Sequence, residues 1–376
     1  MFKISMKWPV ALALLAACGA GAQTIDLIIV EKVVHYEQTS ASHIQLDSMP
    51  LSPTNGGPFE FDIGVHGQGL GGITPPTITG PFGSVDPVFH HGGVMGRDPN
   101  EDAWRYGWPI IDDIGGTSIS QAEMDSDFGS GVYTVTVLGV DVPLNLTGDA
   151  YPNTPSVTLT GGQWSHGVYV ISADQTLGVT TNAFTDYGSH VEDIFISDLF
   201  GSDVDQEIFR LASEEPGANA LSQTLPASVF SVGELYTLET AFIAVVDTSP
   251  QAAFPESFIN AAAYQVNTQV RIRLPMPGDV SNDGVIDQND VGAFANHFEP
   301  GVGGKTLAQG DLNADGVADI ADFGILAFNF GNAVGSVSAS TQATAAVPEP
   351  GAIALWGLGV LTLMRRRRTT TSDEWR

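Results

Sequence analysis

Basic residues are scarce in this chain. Its 376 residues include 14 Lys plus Arg against 43 Asp plus Glu, a formal net charge of −29. Lys3, Lys7, Arg365 to Arg368 and Arg376 lie outside residues 23–346, so seven basic residues face forty acids there, a balance of −33. Such a field repels phosphate backbones and excludes nucleic acid as a partner; cations are what it attracts. Cysteine is reduced to Cys18, which excludes an intrachain disulfide and a thiolate metal cluster. Charged residues amount to only 15%, beside 43% hydrophobic residues, 43 Gly and 22 Pro. That balance argues against disorder throughout, and the density of turn residues argues against a helix bundle. The His-Glu-x-x-His, Gly-x-x-x-x-Gly-Lys and Gly-x-Ser-x-Gly patterns are also missing, so no catalytic residue is assigned.

What is present reads mainly as strand. Phe59, Phe61, Ile63 and Val65 alternate with Glu60, Asp62 and Gly64, the period of a half-buried strand. Tyr133, Val135 and Val137 repeat it, and Tyr264 to Leu274 carries it longest. Gly and Pro clusters break the runs at short intervals, as in sandwiches and barrels. One short helix is expected at 120–127, with Ser120 as cap and Glu123 completing a capping box. The turn-rich stretch 147–155 suggests a division into a β-rich domain, 23–148, and a second β-sandwich, 149–275. Within the second, Thr224 to Ser228 followed by Gly233 to Thr237 resembles a late-strand segment of fibronectin type III sandwiches, where a turn glycine precedes a core tyrosine.

Both ends read as addresses. Residues 1–22 join Lys3 and Lys7 to the apolar stretch Trp8 to Ala17 and the small residues Ala20-Gly21-Ala22, a secretory signal peptide cleaved before Gln23. Leu15-Ala16-Ala17-Cys18 is similar to a lipoprotein lipobox, which implies a lipid anchor at Cys18 as the alternative. Residues 332–346 are small, polar and aperiodic, a flexible spacer. Residues 347–368 run Val347-Pro348-Glu349-Pro350, then Gly351 to Met364, then four arginines. The apolar stretch spans about 21 Å at ~1.5 Å per residue, short of a ~30 Å hydrocarbon core, but snorkelling arginines extend it to a transmembrane helix. This order of features closely resembles the PEP-CTERM sorting signal. The resemblance implies a membrane tether before processing, removal by an exosortase at Val347 to Pro350, and release to the outer surface or exopolysaccharide matrix of the cell envelope.

The strongest chemical signal lies at 278–331. Asp279, Ser281, Asp283, Asp287 and Asp290 occupy places one, three, five, nine and twelve of one loop. Asp311, Asn313, Asp315, Asp319 and Asp322 occupy the same places of a second, 32 residues on. Val285 and Val317 offer backbone carbonyls at the seventh place, and Gly284 and Gly316 permit the reversal at the sixth. Six to eight oxygens on such a turn are what Ca2+ requires. Apolar stripes follow, Val291, Phe294 and Phe298, then Phe323, Leu326, Ala327 and Phe330, with Pro300 and Gly331 as stops. Asp at place twelve and the missing leading helix resemble a type I dockerin. The resemblance implies a small all-α module of EF-hand-type loop-helix pairs, two Ca2+ on the residues named, and a cohesin-like partner. Ser281 departs from the usual Asn, so the first loop is expected to be the weaker. Gln288-Asn289 and Ile320-Ala321 depart from the Ser-Thr-like pair through which dockerins recognise cohesins.

Two further groups stand out. Trp104, Tyr106 and Trp108 share one face of an extended strand, which suits either stacking on a sugar ring or core packing. His66, His90 and His91 read as solvated loop residues or as transition-metal ligands. The expectation is thus one or two β-sandwich domains, a calcium module and terminal signal and sorting helices. Its role is a non-catalytic structural or adhesive one, set against a polysaccharide hydrolase or a sugar-binding protein docked through the calcium module.

Overall fold

In a computed structural model of the chain the described residues are 24–47, 58–91, 102–108, 120–171, 175–201, 207–213, 220–249, 259–313 and 315–333. The signal peptide, residues 334–346 of the expected spacer and the sorting segment, with Cys18 and Val347 to Pro350, lie outside them, whereas Asn332 and Ala333 are ordered against the first loop and not part of a flexible spacer. The chain forms two compact units that divide between Leu274 and Pro275. Among the described residues the first is β save for short helical turns, and the second is a pair of loops and helices.

The first unit is organised by one eleven-stranded sheet. Its path runs β15 (Glu207–Ser213), β14 (Glu192–Phe200), β17 (Leu235–Thr248), β18 (Ile259–Arg273), β1 (Thr24–Ser40), β3 (Phe59–Gln68), β7 (Asp102–Trp108) and β6 (Val88–His91). Off the path, β2 (His43–Leu46) pairs with β1, β11 (Gly162–Ser165) with β12 (Val168–Ile171), and β12 with β18. The first strand and the last lie side by side and parallel at its centre, from Leu27 opposite Ile259 to Glu37 opposite Gln269.

Two small sheets cover one face of it. A four-stranded sheet, β5 (Gly83–Val85), β4 (Thr77–Gly80), β8 (Gly131–Val137) and β9 (Val140–Leu146), shares a core with β1, β3 and β18. Phe61, Ile63 and Val65 meet Tyr133, Val135 and Leu144 there, sealed by Met124 and Phe128. A three-stranded sheet, β10 (Val157–Thr160), β13 (Leu177–Thr181) and β16 (Ser222–Leu225), shares a second core with β14, β17 and β18. The same face of β18 serves both: Ala262 and Tyr264 belong to the first core, Val270 and Ile272 to the second.

This arrangement corrects the expected division at 148. The break at 147–155 is where the chain passes from one covering sheet to the other, while the large sheet takes strands from both sides of it. Tyr236, the core tyrosine after Gly233, is a β17 residue; its hydroxyl accepts from Ser231 N at 2.7 Å and donates to Glu234 at 2.9 Å. The helix expected at 120–127 forms as α1 (Gln121–Asp127), and Ser120 Oγ accepts from Glu123 N at 3.2 Å.

A second correction concerns β3, which is buried on both faces. Glu60 and Asp62 point away from the core and are engaged by neighbours on the same face. Arg105 of β7 grips Asp62 through Nε and Nη2 and lies 3.7 Å from Glu60, and His35 of β1 is 3.2 Å from Glu60. The alternation predicts a half-buried strand; here ion pairing with Arg105 lets the acidic face be buried as well.

The second unit holds α2 (Gln288–His297) and α3 (Ile320–Asn329) around Val280, Phe294, Ala318 and Leu326, with Phe298 and Phe323 against Phe294. Phe330, expected in the apolar stripe, is the C-cap of α3 and half exposed. Among the described residues no helix is long and apolar enough to cross a membrane.

Candidate metal centre

Each acidic loop is built on its first carboxylate. Asp279, fully buried, accepts from Asp283 N at 3.1 Å, Gly284 N at 3.0 Å and Ser281 Oγ at 3.5 Å. Asp311 accepts from Asp315 N at 3.0 Å and Gly316 N at 2.9 Å. Reaching those donors requires the chain to double back within five residues. Gly284 at φ 91° and Gly316 at φ 86° supply the left-handed backbone that makes this possible.

The twelfth carboxylate closes each loop. Asp290 accepts from Ser281 N at 2.9 Å and Asp287 N at 2.8 Å. Asp322 accepts from Leu312 N at 2.8 Å, Asn313 N at 3.1 Å and Asp319 N at 2.9 Å. Both are fully buried, although they sit in the first turn of a helix. The ninth-place acids act as N-caps: Asp287 accepts from Asn289 N at 2.7 Å and Asp319 from Ala321 N at 2.8 Å. Places nine and twelve therefore form a reciprocal capping box, which orients the twelfth carboxylate toward the loop. The spacing Asp-x-x-Asp before an apolar run carries that signal, and the sequence reading used it only as a ligand pattern.

In the first loop Asp279, Asp283 and Asp290 bring carboxylate oxygens within 4.8 Å of one another. Among the described residues no other group of three His, Cys, Asp or Glu is so arranged. Oxygen donors alone, two of the three buried, suit a hard divalent cation of Ca2+ size, and the residues fit that ion. Backbone N–H groups offset part of the charge, and the cation would offset the remainder.

The two loops differ at the third place. Ser281 turns its hydroxyl onto Asp279, whereas Asn313 accepts from Asp315 N at 2.9 Å and donates Nδ2–H to Asp315 at 3.0 Å. They also differ in what braces them. The first is fastened by the chain beyond α3: Ile286 N donates to Asn332 O and Gly331 N to Ile286 O, both at 2.8 Å, and Val285 bridges Ala333. The second is fastened by the connector between the helices, through Lys305 N to Gly316 O at 2.9 Å and Glu299 N to Ala318 O at 3.2 Å. Lys305 Nζ lies 2.6 Å from Glu299 Oε2, and this bond holds the Glu299 carboxyl below the usual range. Val285 and Val317 sit at the seventh place with their N–H groups given to Asp283 and Asp315.

Other expected residues fall elsewhere. Trp104 and Tyr106 face the first core. Trp104 Nε1 donates to Leu70 O at 3.1 Å with Phe89 against its ring, and Tyr106 packs between Phe82 and Phe128. The Trp108 side chain lies outside the described residues. His66 and His90 are strand residues in register with Ala103, not loop residues, and among the described residues neither joins a metal-binding group. Burial, followed by the Arg105 charge, lowers the His90 pKa.

Residues 277–329 match the dockerin type I domain. Such domains bind calcium and dock cohesin partners in extracellular proteins, so the C-terminal unit is a calcium-dependent docking module. No curated protein matches the chain. Among solved structures, a mutant of Salmonella alpha-2-macroglobulin aligns with 64% of this chain at 10% identity and a TM-score of 0.21. The aligned part spans 16% of that protein's length.

Proposed function

We propose that this is an exported, non-catalytic protein of the cell surface or exopolysaccharide matrix. Its β unit is a structural or adhesive body, and its C-terminal module docks to a cohesin-like partner when two Ca2+ ions are bound. The observation that carries the reading is the repeated loop, in which buried first and twelfth carboxylates are braced by equivalent backbone donors, with the carboxylates of the first loop drawn together around one point. Asp279, Ser281, Asp283, Val285, Asp287 and Asp290 would hold one ion, and Asp311, Asn313, Asp315, Val317, Asp319 and Asp322 the other. The apo loops concentrate like charge, so ion binding and folding of the module are linked.

Export rests on residues 1–22, and destination on 347–368, where an exosortase-type enzyme would cleave the Pro-Glu-Pro segment and free the chain from its membrane helix. The buried acids of β3 favour a body role over hydrolysis, since Glu60 and Asp62 are engaged by Arg105 and His35.

The helices offer unequal docking faces. On α3 the exposed stripe is Ile320, Gly324 and Phe328, with Phe328 at 88% exposure; the equivalent stripe on α2 is Gln288, Gly292 and Asn296. The cohesin-like partner would therefore meet the α3 face, where apolar burial contributes most. The test is retention of the full chain on a panel of cohesin domains, with calcium and with chelator. Calcium-dependent retention abolished by Phe328→Asp is expected; retention indifferent to chelator would overturn the reading.

A further inference from the structure

Lys32 lies in the middle of β1, at the centre of the large sheet. Its side chain is completely buried, in register with Phe61 of β3 on one side and Tyr264 of β18 on the other. Its Nζ stands 2.6 Å from Asp125 Oδ1 on α1, the layer packed over the sheet. An ammonium carries three N–H donors, and desolvating it beside one carboxylate is not fully offset by their attraction. Condensing the two groups to an amide removes both charges and leaves one donor in place of three.

We propose that Lys32 and Asp125 are joined by an intramolecular amide bond. A proton passes from Nζ to the carboxylate, the freed lone pair attacks Cγ, and the C–O bond breaks. The hydroxyl leaves with a second Nζ proton as water. Nothing is oxidised or reduced, and no co-reactant is consumed.

Three features of the site serve this step. Both partners are fixed before reaction: Lys32 by strands on either side, Asp125 by its capped helix and the adjoining Met124, itself fully buried. Holding reactants in contact replaces an encounter with a local event. Tyr151 adds a hydroxyl that is buried with no hydrogen-bond partner, its ring set edge-on to Tyr264 at 4.8 Å. Burial, and next the Asp125 charge, keep that hydroxyl protonated, so it is a neutral proton donor within the field of the reacting carboxylate. Finally, the Asp125 side chain keeps 30% of its exposure while that of Lys32 has none, which gives the expelled water a way out on the helix side. The bond would close a loop between positions 93 residues apart and tie the large sheet to α1.

The test is peptide mass spectrometry of the full chain after trypsin, which does not cut after an acylated lysine. A branched peptide joining Lys32 to Asp125, lighter than the sum of its arms by one water, about 18 Da, is expected. Recovery of both segments as linear peptides of full mass, with cleavage after Lys32, would overturn the proposal, and this measurement needs no variant. Lys32→Arg keeps the charge and cannot form the amide. Its peptides should be linear and its melting temperature lower, whereas a branched peptide from that variant would show the assignment to be wrong.

Discussion

The loops 279–290 and 311–322 solve one problem twice and finish it differently. In both, the first carboxylate gathers the amides of places five and six, the twelfth gathers those of places three and nine, and the ninth caps the helix. What differs is the third side chain and the brace. The first loop leans on Gly331 to Ala333, after the second helix; the second leans on Glu299 to Lys305, between the helices. The shared part is fixed by residues within each loop. Of the unshared part, the brace comes from chain outside it, so the two loops should respond differently to changes made far from any ligand.

The largest effect should come from the shared part. Asp290→Ala removes a buried acceptor from two backbone donors, and Asp322→Ala from three. Each should weaken Ca2+ binding at its own loop by about 3 kcal/mol, roughly a hundredfold. Calorimetric titration of the two variants would check this. Equal weakening of both loops by either change would mean that they are not separate sites. A smaller and one-sided effect is expected when the chain is ended after Phe330. This removes the bonds of Ile286 to Asn332 and Gly331, and should cost the first loop roughly tenfold while the second stays within about twofold. If both loops lose equally, the brace is a property of the whole module and the contrast drawn here disappears.

These contrasts also mark what could be read in the sequence. Places one, three, five, six, nine and twelve were legible because every determinant lies within twelve residues: oxygen donors, one glycine and a helix start. The period-two runs gave the strands for the same local reason. The braces were not legible, since Asn332 O and Lys305 N act as backbone atoms and leave no signature in residue type. Nor was the single large sheet. The pairing of β1 with β18 joins residues such as Leu27 and Ile259, and nothing near either announces the other. The turn-rich stretch 147–155 was seen correctly as a break, but a break between covering sheets looks like one between domains. Burial of Glu60 and Asp62 was missed because it depends on Arg105 from a strand forty residues away.

The third place offers a gain instead of a loss. Ser281→Asn would give the first loop the side chain that Asn313 supplies to the second, an amide oxygen with reach to the backbone of place five. Its affinity should rise by about threefold, below 1 kcal/mol, and Asn313→Ser should lower the second loop by a similar factor. Reciprocal changes of opposite sign in competition with a fluorescent chelator would assign the difference between the loops to this residue. A null result in both would move the whole difference to the braces.

The smallest effect belongs to the brace of the second loop. Glu299 and Lys305 pair at the surface, where salt screens the attraction, so Glu299→Gln should loosen only loop 311–322, and only at low ionic strength. The bond to Lys305 depresses the Glu299 carboxyl, so its contribution is present above the ordinary glutamate range and is lost as pH falls through the lowered value. Acidification should therefore release the second brace before it touches the first, which is made of backbone bonds with no titrating group. Hydrogen exchange measured while the pH is stepped downward would separate the two. Lys305 N should lose protection before Ile286 N, and the reverse order would show that the ion pair does not support the connector.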